Sequence, residues 1–164
     1  MEAIQTVSRY EEERGKPMPS RNHALAQLHL SLAFARYMDR FSILPELSLE
    51  LDGQPFVPDL SVYPKIRLGT DAELGWSHDE VRKTEPPLLV VEILSPTQSV
   101  DELIRKAEAY LDAGVKSCWI VQPSLKTISV VEAGKPPLTF TGGELTDPAT
   151  AITVRVEDVF PPFE

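Results

Sequence analysis

The sequence predicts a mixed α/β (α+β) fold in which a mixed β-sheet is flanked by helices. Three observations carry that prediction. Residues 88–94 read LLVVEIL, a short apolar run suited to a central strand buried on both faces. A helix follows, with a capping-box start at Ser99-Val100-Asp101-Glu102 and a glycine stop at Gly114. Elsewhere the apolar period switches to two: Leu47, Leu49 and Leu51 alternate with Ser48, Glu50 and Asp52.

The elements can be read in order. After the short acidic run Glu11 to Glu13, residues 15–20 (GKPMPS) are rich in turn formers. Ser20 or Asn22 can cap a helix running to about Asp39, and Leu25, Leu28, Leu32 and Ala35 recur at helical spacing, which predicts that they face the core. The Leu47–Leu51 strand ends at Asp52-Gly53, a hairpin signal. A second strand is predicted over Phe56 to Tyr63, with Pro58 at a break in its pairing. Residues 64–87 form a long connection, with a helical turn expected over Asp79 to Lys83. The helix after Ser99 places Val100, Leu103, Ile104, Ala107, Tyr110 and Leu111 on one face. Ser117 to Val121 is a buried strand, with Thr127 to Glu132 as its hairpin partner. Short strands are expected near Leu138–Phe140 and Ile152–Val156.

The bulk properties fit one domain spanning 1–164, with 42% hydrophobic and 25% charged residues. No run reaches a membrane-spanning length of about 18 apolar residues, and the first residues lack a signal-peptide core. Cys118 is the single cysteine, so neither an internal disulfide nor a cysteine-based zinc cluster can form. Together these predict a cytoplasmic protein with no membrane partner. The net charge of −9 argues against broad, non-specific nucleic-acid binding. No nucleotide-cradling glycine loop is present. His29 and His78 lack a spaced partner and read as structural or exposed.

Glu92 is the main anomaly, an ionisable group in the middle of an apolar strand. It is either a buried ion pair, a glutamic acid of raised pKa, or a metal ligand. Leu88, Val90, Glu92 and Leu94 share one strand face, as do Asp59, Ser61 and Tyr63. If the two strands are neighbours with those faces aligned, Asp59 and Glu92 sit side by side. Two close carboxylates repel unless a cation lies between them, and oxygen donors suit Mg²⁺ or Mn²⁺. Lys106 falls on the flank of the following helix's apolar face, where its long stem reaches over the end of the sheet. As a plain surface residue it would instead pair with Glu102.

The segments VPDLSVYP, PPLLVVEILSPTQSVDELIRKAEAYLDAGVKSCWIVQP and YEEERGKPMPSRNHA resemble the PD-(D/E)xK nuclease superfamily, and within it the Uma-two family of endonucleases. The resemblance covers most of residues 10–132. It implies a restriction-endonuclease-like fold and a Mg²⁺- or Mn²⁺-dependent site hydrolysing phosphodiester bonds in DNA. Asp59 and Glu92 would be metal ligands, with the Ile93 carbonyl as a third. Lys106 would be the catalytic lysine, and Glu11, four residues before Gly15, an additional catalytic or metal-ligating group. The superfamily's simple form puts lysine where this chain has Leu94. Lys106 must therefore act from the helix, with Arg105 as its substitute should the register differ by one. His23 stands where the family often shows histidine. Such nucleases often act as homodimers. The alternative is a catalytically inactive module that keeps the fold for protein or nucleic-acid interaction.

Overall fold

The computed structural model describes residues 9–65, 75–77 and 79–163. Its elements run α1 (Arg9–Arg14), α2 (Arg21–Ala35), β1 (Phe41–Pro45), β2 (Ser48–Leu51), β3 (Gln54–Phe56), β4 (Leu60–Pro64), β5 (Arg82–Lys83), β6 (Leu89–Ile93), α3 (Val100–Asp112), β7 (Ser117–Gln122), β8 (Thr127–Val131), β9 (Leu138–Phe140), β10 (Glu144–Thr146), β11 (Thr153–Arg155) and α4 (Val156–Val159). Six strands form the main sheet in the order β1-β4-β6-β7-β8-β9. Within this sheet only the β6–β7 pair is parallel, because α3 carries the chain back across the sheet between them. The remaining pairs are antiparallel.

The mixed sheet with flanking helices is as expected. Leu89 to Ile93 is buried on both faces, which explains why its sequence is apolar without alternation. On one face, α2 and the C-terminal elements pack Phe34, Leu145, Ile152 and Val159 against Leu60, Val91 and Trp119. On the other, α3 and β2 pack Leu103, Ala107, Tyr110 and Leu49 against Tyr63, Val90 and Cys118. The hairpin at Asp52-Gly53 joins β2 to β3, with both residues at positive φ (49° and 75°). The expected Phe56–Tyr63 strand is divided around Pro58: β3 stays with β2, while β4 enters the main sheet.

Several expectations are corrected. The residues of α2 that face the core are His23, Ala26, Leu30 and Phe34, whereas Leu28 is 53% and Leu32 63% exposed. Both sets have helical spacing, and the helix is apolar on nearly every side, so periodicity alone does not select a face. Contact with the sheet selects it, led by the edge-to-face pair Phe34–Trp119 at 5.4 Å. Leu25 lines a separate apolar cavity of about 290 Å³ with Phe160 and Phe163. The helix ends at Ala35, and turns complete the stretch to Arg40. The helical turn expected over Asp79 to Lys83 is not formed: Arg82–Lys83 is a strand, pairing in parallel with Ser48 and Leu49. Residues 66–74 and 78 of that connection, including Arg67, Asp71, Glu73 and His78, lie outside the described residues. On α3, Val100 and Ile104 are partly exposed at the edge of the packed face.

Among the described residues, no helix is long and apolar enough to cross a membrane.

Candidate active site

The β4–β6 ladder pairs Leu60 with Val91 and Ser61 with Val90. The Asp59 amide continues it by donating to the Val91 carbonyl at 3.1 Å. Asp59 therefore stands opposite Glu92, as strand alternation requires once the strands are neighbours. Both carboxylates are buried, at 1% and 2% exposure. Pro58 has no N–H to give a ladder, so it marks the point where the chain leaves β3 and delivers Asp59 to the end of β4.

Each carboxylate has its own set of partners. Asp59 Oδ2 accepts from the Ile93 amide at 2.7 Å. Asp59 Oδ1 accepts from Lys16 Nζ at 2.7 Å and lies 3.1 Å from His23 Nε2. Lys16 Nζ also donates to the Val57 carbonyl at 2.8 Å. Glu92 Oε1 accepts from the Tyr110 hydroxyl at 2.7 Å, and Lys106 Nζ lies 3.6 Å away. Tyr110 is one turn beyond Lys106 on α3, so a single helix face presents both to Glu92. Arg105 points outward and is exposed, so Lys106 is the lysine-register residue of the site.

These surroundings push the two carboxyls apart in acidity. Burial opposes ionisation of Asp59, but the His23 hydrogen bond and the Lys16 ammonium outweigh it and hold its pKa below the ordinary value. Burial drives Glu92 the other way, reinforced by the Asp59 charge, and the Lys106 and Lys16 ammoniums offset only part of this. Asp59 is thus the ionised member and Glu92 the one that holds a proton more tightly. Burial, and then the nearby Glu92, also raise the Tyr110 phenol.

A cavity of about 10 Å³, one water in size, is lined by Lys16, His23, Asp59, Glu92, Ile93 and Gln98, among others. Ser95 is buried on its wall, its amide capped by Gln98 Oε1 at 3.1 Å. His23 Nδ1 is buried without a hydrogen-bond partner. Two opposed carboxylates and a strand-end carbonyl are hard oxygen donors, so the donor chemistry fits Mg²⁺ or Mn²⁺. Among the described residues, no three His, Cys, Asp or Glu side chains are already arranged as a metal cluster. Among the described residues, the cation nearest Asp59 is the Lys16 ammonium.

The structure brings together Asp59, Glu92, Ile93 and Lys106 from the sequence reading. Glu11 Oε1 accepts from the Met18 amide at 3.0 Å, bracing the segment that carries Lys16. His23 reaches Asp59, and Ser20 caps its helix by accepting from the His23 amide at 3.2 Å. Sequence reasoning missed Lys16, which sits in a turn-rich stretch with no periodicity to orient it. It also took Tyr110 as packing only; the four-residue step from Lys106 was the available signal. The exposed side of α3 carries Asp101, Glu102, Glu108 and Asp112 against Arg105.

Residues 7–157 match the model of the family Uma2, described as "Putative restriction endonuclease". A solved structure described as a "putative nuclease belonging to DUF820", from Anabaena variabilis, is similar in fold, with a TM-score of 0.75 at 21% identity over 88% of this chain and 83% of that one. No curated protein matches the sequence.

Proposed function

Because the chain belongs to the Uma2 family of restriction-endonuclease-type proteins, we propose that it is a Mg²⁺- or Mn²⁺-dependent endonuclease that hydrolyses phosphodiester bonds in DNA. The observation that carries this reading is the opposed pair Asp59 and Glu92, buried at the end of the β4–β6 ladder with Lys106 3.6 Å from Glu92. Asp59, Glu92 and the Ile93 carbonyl would hold the ion. A bound Mg²⁺ or Mn²⁺ supplies a Lewis acid for the phosphoryl oxygen and lowers the pKa of an attacking water. Lys106 orients that water from the α3 side and faces the charge that develops on the phosphoryl group. Tyr110 fixes the Glu92 carboxylate, and His23 with the Ile93 amide fixes that of Asp59. Glu11 acts beside this set, holding the Lys16 segment through Met18. Water attacks in line and no covalent enzyme intermediate forms. Two copies acting together would address both strands, and the exposed Leu28–Leu32 face of α2 is an apolar surface available for their pairing.

A second reading is favoured by a specific observation. Both carboxylates already have ammonium partners, and the outer face of α3 is acidic. This suits a catalytically inactive module engaged in protein or nucleic-acid interaction.

The deciding experiment incubates the protein with supercoiled plasmid and with single-stranded DNA in Mg²⁺ and in Mn²⁺, beside Glu92→Ala and Lys106→Ala. Cleavage by the wild type that disappears in both variants is the expected result. No cleavage under any condition, or equal cleavage by the variants, favours the inactive module.

A further inference from the structure

We propose that Lys16 is a further residue of the site with two successive partners: Asp59 in the metal-free protein, and a phosphodiester oxygen of the nucleic acid once Asp59 takes the divalent ion. This rests on the metal-dependent reading above and assigns a role to the one close cation that reading does not use. The Lys16 side chain is 7% exposed, and two of its three ammonium donors are spent on Asp59 Oδ1 and the Val57 carbonyl. Asp59 does not depend on it for position, because the Ile93 amide holds Oδ2 and His23 also meets Oδ1. A divalent ion bound at Asp59 would lie within a few ångströms of the ammonium, and two cations at that range repel.

The geometry leaves Lys16 free to move without disturbing the sheet. It lies between α1 and α2, just after Gly15 at φ 67°, and belongs to no strand. The backbone around it stays anchored: the Gly15 amide donates to the Glu11 carbonyl at 2.9 Å, and Met18 to the Glu11 carboxylate. Only the four-carbon stem has to swing, and lysine is the flexible, strongly hydrated cation suited to that. The displaced ammonium stays at the wall of the same cavity. A phosphate oxygen arriving there supplies the negative charge that Asp59 has given up to the ion.

The test uses the intact chain and two readouts other than cleavage. Calorimetry measures Mn²⁺ binding to wild type, Lys16→Met and Glu92→Gln. Brief acetylation read by mass spectrometry compares Lys16 with exposed Lys116, without Mn²⁺, with it, and with Mn²⁺ plus a cleavage-resistant phosphorothioate oligodeoxynucleotide. Mn²⁺ is expected to raise Lys16 acetylation in wild type but not in Glu92→Gln, and the oligonucleotide to lower it again. Lys16→Met is expected to bind Mn²⁺ at least ~10-fold more tightly, since the ion no longer displaces a buried ammonium. Glu92-dependent Mn²⁺ binding with unchanged Lys16 reactivity and unchanged Lys16→Met affinity overturns the exchange and leaves the metal site standing. Acetylation that the oligonucleotide does not reduce overturns the phosphate contact. Absence of Mn²⁺ binding in both wild type and Lys16→Met overturns the metal site and the exchange together.

Discussion

Replacing Asp147 is expected to destabilise the protein more than any surface charge change. This carboxylate is fully buried and collects five neutral donors. Oδ1 accepts from Ser117 Oγ at 2.5 Å and Trp119 Nε1 at 3.0 Å. Oδ2 accepts from the Ala149 amide at 3.1 Å, the Thr150 amide at 2.9 Å and Thr150 Oγ1 at 2.8 Å. The cluster ties the turn between β10 and β11 to the start of β7. In Asp147→Ala the two hydroxyls can rotate to new acceptors, but the Trp119 indole N–H and the Thr150 amide cannot. Two buried donors left unsatisfied cost about 1–3 kcal/mol each, so about 2–6 kcal/mol in all. That is a large part of the ~5–15 kcal/mol stability of an ordinary domain. In Asp147→Asn the amide oxygen keeps Ser117 and Trp119, while its NH₂ meets the Thr150 amide donor to donor, at about 1–3 kcal/mol. Urea denaturation followed by circular dichroism measures both losses. An Asp147→Ala protein within ~0.5 kcal/mol of wild type, the range of a neutral surface change, would refute the reasoning.

Four further outcomes are expected. Glu92 holds its proton more tightly folded than unfolded, so its contribution to stability is present at low pH and is lost as pH rises above the ordinary 4.5; Asp59, depressed, contributes above its unfolded pKa and loses that as pH falls. Metal-free Glu92→Gln should therefore gain on wild type as pH rises above 4.5 in parallel denaturation curves, and a constant gap would contradict the assignment. Tyr110→Phe removes the donor to Glu92 and should cost about 0.5–1.5 kcal/mol, the net range for an ordinary hydrogen bond; unchanged urea midpoints would show that Glu92 does not need it. Mg²⁺ or Mn²⁺ should raise the wild-type melting temperature and leave that of Glu92→Ala unmoved, and flat curves for both would count against a metal site. Leu30→Ala should cost about 2–5 kcal/mol as a core truncation, while Leu28→Glu with Leu32→Glu should leave stability intact and lower the light-scattering mass if two copies pair there. A large loss in the double glutamate variant would restore the face that periodicity first suggested.

What the sequence made legible follows from where one signal dominates. Glu92 stood out because a carboxylate in LLVVEIL has no cheap solvent-facing position, and alternation put Asp59 on the same face on the condition, met in the structure, that the two strands are neighbours. The Ser99 cap, the Gly114 stop and the Asp52-Gly53 turn are local devices, and each appears where its residues are. The core face of α2 was not legible, because a helix apolar on both sides leaves the choice to its partner sheet. Arg82–Lys83 reads as polar and helix-compatible, and only pairing with distant β2 makes it a strand. Lys16 escaped for the same reason: its place is set by a contact 43 residues away, and nothing within its own stretch announces that contact.

The register that sets Asp59 against Glu92 also bears on how the chain folds. The ladder that creates the site is a non-local pairing, formed late in the sense that a long loop must close before any contact rewards it. Closing it drives two carboxylates together, so the transition state meets like-charge repulsion unless the lysines have already docked. Lys106 comes with the crossover helix of the same β6–α3–β7 unit, whereas Lys16 has to be delivered by the N-terminal segment from outside it. Refolding of Glu92→Gln, which removes one of the two charges, should therefore outpace refolding of the wild type at neutral pH, and removing Lys16 should slow it. That outcome would make the site an electrostatic gate on the assembly of the sheet that carries it.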